Sequence, residues 1–193
     1  MKRSRTYCVL VLAILLTSCA STRQTYRQAR LERSIDKIAE LKCGGNVEGA
    51  LRMSFAAEKK HGADPLLYVQ RSALLEALGR VEEAADEGNR SIGLWPGGYL
   101  YMARFYRRHG DKASANSTII VALGDSRVQD DARWRAEIHL LKATWYLEDG
   151  DKENALRECD IALILAPERN IALRERIETV KEQALKMTPL SAE

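Results

Sequence analysis

The chain has 193 residues, and 30% of them are charged, with 30 lysines and arginines against 27 aspartates and glutamates. Lys2, Arg3 and Arg5 lie at the extreme N-terminus, and without these three the chain has 27 basic and 27 acidic residues. Such a balance gives no electrostatic reason to expect nucleic-acid binding, so the sequence predicts no nucleic-acid partner.

The N-terminal segment combines a basic start with the apolar run CVLVLAILL at residues 8–16. This run is too short to span a bilayer, which takes about 20 apolar residues. A short apolar run behind a basic start is typical of a secretory signal peptide, predicted here for residues 1–18.

The signal segment ends in Leu16-Thr17-Ser18-Cys19, which resembles a bacterial lipobox. The resemblance implies that Cys19 is lipidated and becomes the mature N-terminus; the alternative is an ordinary secretory signal with cleavage nearby. Ala20, a residue other than Asp, implies sorting to the outer membrane with the protein facing the periplasm. Two or more acyl chains would anchor the protein to the membrane stably. Residues 19–29 are predicted to comprise the lipidated cysteine and a polar tether.

Helical spacing of apolar residues recurs from residue 30 to residue 187 and predicts an all-α domain. Residues 95–98 are predicted to break the chain, and residues 124–131 to form a polar loop. The last helix is predicted to cap the domain, with Ile171, Leu173, Ile177 and Val180 inward and Arg174 among its water-facing residues. Residues 188–193 are predicted to be a flexible tail. The predicted helices cover 30–42, 46–60, 65–78, 81–94, 99–108, 111–123, 132–148, 152–166 and 168–186.

Four pairs of a glycine and an alanine five residues later recur in steps of 34, 31 and 40 residues between the alanines. The pairs are Gly45/Ala50, Gly79/Ala84, Gly110/Ala115 and Gly150/Ala155, and we number the repeats one to four by these pairs. The period resembles the tetratricopeptide repeat (TPR). Repeat four matches the TPR pattern at Ala143, Tyr146, Ala155 and Pro167 and departs from it at His139, Lys142 and Cys159. The resemblance implies a TPR-like right-handed α-solenoid of about four helix–turn–helix units with a C-terminal capping helix.

The TPR resemblance also implies a concave groove lined by the first helix of each repeat. Carried over by register, the groove positions of repeat three are Leu100, Arg104, Arg107 and Arg108, which we predict to bind a protein or peptide partner. Three arginines on one helix face suit an acidic segment or a C-terminal carboxylate; a solvated basic edge is the alternative. The other groove positions are Leu66, Val69, Ala73, Glu76 and Ala77 in repeat two and Glu137, Leu140, Thr144, Leu147 and Glu148 in repeat four.

No residue pattern predicts an enzyme, a metal site or a cofactor. His139 and Cys159 fall at facing positions of one helix pair, where packing is the expected role. His61 and His109 lie at predicted helix ends, where a histidine favours the helix dipole. Cys43 and Cys159 are not expected to form an internal disulfide. The acidic residues Glu82, Glu83, Asp86 and Glu87 of the fourth helix are predicted to be solvated.

These features together predict a lipid-anchored periplasmic adaptor or scaffold that binds other proteins. The resemblance is to small TPR lipoproteins that serve pilus biogenesis, exopolysaccharide export, murein-enzyme scaffolding or outer-membrane protein assembly. The alternative is a solute-binding TPR lipoprotein beside a transporter, with Tyr99, Tyr101, Trp134 and Trp145 as candidate pocket walls. A closed, ligand-sized cavity would favour the second interpretation, and an open groove would favour the first.

Overall fold

The computed structural model describes residues 28–187, and within that range the chain forms ten α-helices and no strand. The all-α prediction is confirmed, and the first helix begins at residue 28, two residues earlier than predicted. The signal segment 1–18, Cys19 and the tail 188–193 lie outside the described residues. The helices are α1 (28–43), α2 (Val47–His61), α3 (Pro65–Ala77), α4 (Val81–Leu94), α5 (Gly97–Arg108), α6 (Lys112–Gly124), α7 (Ser126–Gln129), α8 (Ala132–Glu148), α9 (Lys152–Leu165) and α10 (Ile171–Lys186).

The chain divides into two compact units, and the division falls within α4, between Glu87 and Gly88. We call the described part of the first unit, residues 28–87, the N-terminal lobe, and that of the second, residues 88–187, the C-terminal lobe. In the N-terminal lobe α2 packs on α3. In the C-terminal lobe α5 packs on α6, α8 packs on α9, and α10 packs on both helices of that last pair.

All four predicted hinge glycines adopt the left-handed conformation, with φ between 75° and 80°. L-residues with a Cβ rarely adopt this conformation, so glycine is the residue that ends the first helix of each repeat. At Gly150 the amide donates to the carbonyl of Leu147, and the amide of Asp151 donates to the carbonyl of Tyr146 at 2.8 Å. This pair of hydrogen bonds is a Schellman motif, and Asp151 then caps the next helix by accepting from the amide of Asn154.

The four alanines five residues after the hinges are all fully buried, with no exposed surface at Ala50, Ala84, Ala115 or Ala155. Each lies in the first turns of the second helix of its repeat, where that helix crosses its partner. A methyl side chain lets the two backbones approach, so the glycine and alanine together define the TPR-like helix pair. The repeat prediction is thereby confirmed on the residues that carried it.

The segment between α6 and α8 contains a helix, so the prediction of a polar loop over 124–131 is wrong. Asp125 caps α7 by accepting from the amide of Arg127, and the side chain of Val128 is fully buried in the lobe's core. The Arg127 guanidinium donates to the carbonyls of Gly93 and Ile92, each at 3.0 Å. The step of 40 residues between repeats three and four therefore reflects an ordered insertion that binds the end of α4.

The predicted break is present between the end of α4 at Leu94 and the start of α5 at Gly97, and it is shorter than the predicted residues 95–98. A Cβ added at Gly98 would lie 2.6 Å from the Ser91 hydroxyl oxygen and 2.7 Å from the backbone nitrogen of Ile92. Gly98 is thus a contact point between the start of α5 and the end of α4. The two glycines form the first residues of α5, and Gly98 permits the close packing of this helix start on α4.

Helix α10 packs on α8 and α9 as the predicted cap, with Leu173 and Ile177 buried and Val180 partly buried. Two of its predicted orientations are wrong. Ile171 is 65% exposed, because it lies in the first turn on the outer side of the helix. The guanidinium of Arg174 donates to the carbonyls of Leu163 and Ala166 at the end of α9, so this residue does not simply face water.

Candidate functional site

The C-terminal lobe has an open groove between α5, α8 and α10, with a volume of about 270 Å³. Its apolar floor comes mainly from α8 and from one valine of α10, and an arginine stands on each side. Leu140 and Thr144 are two of the groove positions predicted for repeat four, whereas the contribution of α10 was not predicted. The lining residues are Arg104, Leu140, Leu141, Thr144, Arg176, Thr179 and Val180.

Arg104 reaches this groove from α5, and within residues 28–187 it forms no hydrogen bond or ion pair. The pKa of its guanidinium is lowered, first because the surrounding side chains remove water from it. Glu137 raises this pKa, and the nearby charges of Arg176 and Arg108 lower it further. Arg104 is nevertheless an exposed residue by surface area, so it is a solvent-accessible cation with part of its water displaced and like charges nearby.

The second arginine of the groove, Arg176 of α10, forms an ion pair with Glu137 of α8. The two terminal nitrogens of Arg176 bind the two carboxylate oxygens of Glu137 at 3.0 and 3.2 Å. This two-pronged geometry is the strong form of an arginine–carboxylate contact. Glu137 is mostly buried on α8, so the pair ties α10 to α8 and neutralises the charge of Arg176.

Arg107 points away from this groove, so the predicted convergence of three arginines is wrong. Its Nη2 atom lies 2.8 Å from the Asp149 carboxylate, and its guanidinium lies over the Trp145 ring at 5.3 Å. Lys112 also binds Asp149 at 2.8 Å, and the hydrogen bonds from Lys112 and then Arg107 lower the pKa of that carboxyl. Arg107 thus joins repeat three to the hinge of repeat four.

The other two predicted contacts of repeat three differ from each other. Leu100 packs in the core of the lobe and is not among the residues that line the groove, so the structure does not place it at the predicted surface. Arg108 is exposed, lies 6.0 Å from the ring of Phe105, and lowers the pKa of Arg104 through its charge. Arg104 and Arg108 are the two arginines of the predicted cluster that remain near each other.

The N-terminal lobe presents the predicted groove positions of repeat two on one unburied face of α3. None of the five residues is buried, and Leu66 is 46% exposed. The face has an apolar character with a single carboxylate, Glu76. It resembles the C-terminal groove in polarity but lacks an arginine among these positions.

A second concavity of the C-terminal lobe, of about 120 Å³, lies around Arg107, Trp145, Tyr146 and Asp149. Pockets for small ligands usually measure about 300–1,000 Å³. This concavity is below that range, whereas a concavity along α10 measures about 490 Å³ and is an open surface lined mostly by charged residues: Glu168, Ile171, Arg174, Glu175, Glu178, Thr179 and Glu182. Because the two larger concavities are open and not enclosed, they favour a surface that binds a protein segment over a closed solute pocket.

The sequence pair His139 and Cys159 does not assemble a nucleophilic site. Burial raises the pKa of the Cys159 thiol to about 11, so the reactive thiolate is suppressed. His139 binds instead to Glu158, with 2.6 Å between Nδ1 and Oε2, and Lys142 binds the other oxygen of the same carboxylate. Glu158 was not singled out from the sequence, although it lies next to Cys159.

A buried ion cluster in the N-terminal lobe was also missed. Arg71 has no exposed side-chain surface, and its Nη2 and Nη1 atoms lie 2.7 Å from Glu58 and 3.0 Å from Glu87. Its guanidinium also lies 4.1 Å from the ring centroid of Phe55. The prediction that Glu87 is solvated is therefore wrong, because its carboxylate faces a buried cation.

The described part of the chain offers neither a metal site nor a membrane span. Between residues 28 and 187, histidine, cysteine and acidic side chains form no group of three that could hold a metal ion. In the same range, no helix combines the length and the apolar character needed to cross a membrane.

The chain is similar in structure to several proteins whose structures have been solved. No family model matches the chain, and no curated protein matches it. A crystal structure of MamA aligns with 81% of this chain and 91% of its own at 13% identity and a TM-score of 0.48. TTC0263, a thermophilic TPR protein of Thermus thermophilus, aligns over 83% and 93% at 21% identity and a TM-score of 0.47.

A TPR repeat protein of Bacteroides fragilis, BF2334, aligns over 81% of this chain and 88% of its own at 12% identity, with a TM-score of 0.38. Since these superpositions are loose, the fold of this chain is defined by its own hinge glycines, buried alanines and paired helices. Those features make it an all-α protein built from tetratricopeptide-like helix pairs.

Proposed function

We propose that this protein is a lipid-anchored adaptor of the cell envelope that binds other proteins and catalyses no reaction. The observation that carries the proposal is the open groove of about 270 Å³ between α5, α8 and α10, with its apolar floor and with Arg104, which has no ion-pair partner among residues 28–187. Repeat folds of this kind offer extended concave surfaces and little built-in chemistry. A groove of this shape suits a side chain or short segment of a partner protein.

The anchor in this proposal is Cys19, placed at the outer membrane with the repeat domain facing the periplasm. Support comes from the basic start, the apolar run and the sequence Leu-Thr-Ser-Cys at residues 16–19. The adaptor would then serve an envelope assembly such as a pilus, an exopolysaccharide exporter, a murein-enzyme complex or the machinery that inserts outer-membrane proteins. Lipidation would hold the groove close to partners at the same membrane.

The anchor is tested with Cys19→Ala. We expect the wild type to partition into the detergent phase and to fractionate with outer membranes, whereas Cys19→Ala stays as an uncleaved precursor or becomes soluble. Cys43→Ala is the matched control, because this exposed cysteine lies in α1 and should leave partitioning unchanged. Equal partitioning of wild type and Cys19→Ala would contradict lipid anchoring.

Binding is tested by crosslinking in intact envelopes with a photoreactive residue introduced at Thr144, on the groove floor. The same residue introduced at Arg157, on the exposed face of α9, is the control position. We expect discrete protein adducts from position 144 that are absent from position 157. Identical adduct patterns at the two positions would argue against the groove as the binding surface.

A further inference from the structure

The groove of the C-terminal lobe has an unsatisfied positive charge beside an apolar floor. Arg104 has no hydrogen bond or ion pair within the described residues, while the charge of Arg176 is matched by Glu137. The lowered pKa of Arg104 is consistent with removal of water and with repulsion by Arg176 and Arg108. A carboxylate brought next to Arg104 would replace lost water and oppose both like charges.

The apolar surface lies close enough to act on the same bound segment. Leu140, Leu141 and Val180 line the groove together with Arg104, so they and the guanidinium face one concavity. The volume of about 270 Å³ is suited to one or two side chains rather than to a folded domain. An aliphatic side chain bound there would lose its contact with water, which favours binding through the hydrophobic effect.

We propose that this groove recognises a partner-protein segment in which an aspartate or glutamate lies within three residues of Leu, Ile or Val. This inference rests on the proposed adaptor function and specifies the chemistry of its ligand. Arg104 binds the carboxylate, and the floor formed by Leu140 and Val180 accepts the aliphatic side chain. The terminal helix α10 is then part of the binding site as well as a cap, because it supplies Val180, Thr179 and Arg176.

The pair Glu137–Arg176 sets how positive this groove is. Glu137 holds Arg176 with both carboxylate oxygens and raises the pKa of Arg104 through its charge. Removing the charge of Glu137 would leave two unneutralised arginines on opposite walls. The proposal therefore makes predictions of opposite sign for Arg104 and Glu137.

The test uses the full chain, purified in detergent, and an array of seven-residue peptides. Each peptide has one acidic residue within three positions of Leu, Ile or Val, and a matched peptide has Asn or Gln in place of the acid. Binding of labelled peptides is then measured by fluorescence anisotropy. We expect the acidic members to bind about tenfold more tightly than their amide partners, as a charged hydrogen bond implies.

Three variants assign the preference to the groove. Arg104→Ala should remove the preference for acid, Glu137→Gln should strengthen it several-fold, and Arg157→Ala should leave it unchanged. Arg157 is the matched control because it is an exposed arginine of the same lobe on α9. The preference should also weaken with salt, because the arginine is partly exposed. Helical content by circular dichroism should be the same for all four proteins.

Two outcomes would overturn the inference: acidic and amide peptides that bind the wild type equally, or an acid preference that survives in Arg104→Ala. Peptides that bind without regard to charge would leave the adaptor function standing, because crosslinking at position 144 does not depend on Arg104. If position 144 gives no crosslinked adducts and no peptide binds the wild type, both the adaptor function and the proposed peptide preference are rejected.

Discussion

Repeats two and four both contain a cluster of charged side chains around one buried ion. The buried ion is positive in repeat two and negative in repeat four. In repeat two the buried ion is the cation Arg71, with Glu58 and Glu87 around it. In repeat four it is the anion Glu158, whose side chain is 3% exposed, with His139 and Lys142 around it. The outer partners in both clusters are partly exposed, between 14% and 26%.

The two clusters use the same register. Arg71 and Glu87 lie eight residues before and after the hinge Gly79, and Lys142 and Glu158 lie eight residues before and after Gly150. In both repeats the first of these positions is one where the TPR pattern has Leu. A charge is tolerated there because the facing helix supplies an opposite charge at the matching distance from the hinge.

The two clusters differ in whether the central ion can become neutral. An arginine side chain cannot relieve its charge by losing a proton at ordinary pH. Within the described residues, the Nε atom of Arg71 has no hydrogen-bond partner. The Nη1 atom of Arg71 lies 3.0 Å from the Oε2 atom of Glu87, but the two atoms do not form a well-aligned hydrogen bond. This contact is therefore mainly ionic attraction. Glu158 can instead become neutral by taking up a proton. Repeat two should therefore be the more sensitive to substitution, and repeat four to acid.

Arg71→Met should have the largest effect on stability. It leaves Glu58 and Glu87 close together without their buried cation, and breaking a buried ion pair in this way costs about 3–5 kcal/mol. Urea unfolding followed by circular dichroism measures the loss. Arg80→Ala is the control, since the exposed pair of Arg80 with Glu83 should contribute little to stability. Similar losses for the two variants would remove the distinction between the buried cluster and the surface pair.

Glu158→Gln should cost less, about 1.5–3 kcal/mol at neutral pH, because it removes a charge that accepts two hydrogen bonds while its partners keep some access to water. Burial acts to raise the pKa of Glu158, but the hydrogen bonds from His139 and Lys142 outweigh it, so the pKa is lowered. The ionised carboxylate therefore stabilises the fold above the unfolded pKa of about 4.3, and this contribution is lost as the pH falls through the lower folded value.

The difference in unfolding free energy between wild type and Glu158→Gln should accordingly shrink as the pH is lowered below about 4. Unfolding curves at a series of pH values measure this difference. A constant difference down to about pH 2 would mean that the charge of Glu158 does not contribute as proposed.

Substitution of the buried alanine after the hinge should have a similar effect on stability in repeats two and four. This effect should be smaller than those of Arg71→Met and Glu158→Gln. Ala84→Leu and Ala155→Leu each overpack a fully buried helix crossing and should cost about 1–3 kcal/mol. Glu83→Gln, which changes an exposed residue of α4, should cost much less than either alanine substitution. Thermal unfolding compares the three. A cost at Ala155 equal to that at Glu83 would count against a shared helix-pair geometry.

The helix pairs could be predicted from sequence because their determinants are local. A glycine that must be left-handed, a cap such as Asp151 and an alanine at a fixed distance act within a few residues. The ordered α7 was missed because its stability depends on Val128 entering the core and on Arg127 reaching carbonyls more than 30 residues away. Such contacts leave only a weak signal in the local pattern.

The candidate site was predictable only in part, for a related reason. The register placed Arg104 and Thr144 in a groove, and both line it. Spacing alone also grouped Arg107 with Arg104, but the partner of Arg107 is Asp149, 42 residues further along the chain. The burial of Leu100 depends on the packing of α5 against α6 and α8, and the place of Arg176 and Val180 in the groove depends on the packing of α10 on α8. The eight-residue spacing of Arg71 and Glu87 from Gly79 was a usable signal that the apolar pattern obscured.

The hydrogen bonds of Arg127 also bear on how this array can change in evolution. Repeat arrays commonly gain or lose whole modules, since each module contacts only its neighbours. Here Arg127, which follows repeat three, holds the carbonyls of Ile92 and Gly93, which precede it. These hydrogen bonds join the segment that follows repeat three to the segment that precedes it. Deleting repeat three would remove the helices that lie between these two segments. Repeat three is therefore less exchangeable than its neighbours, and lineages that vary the number of repeats should do so elsewhere.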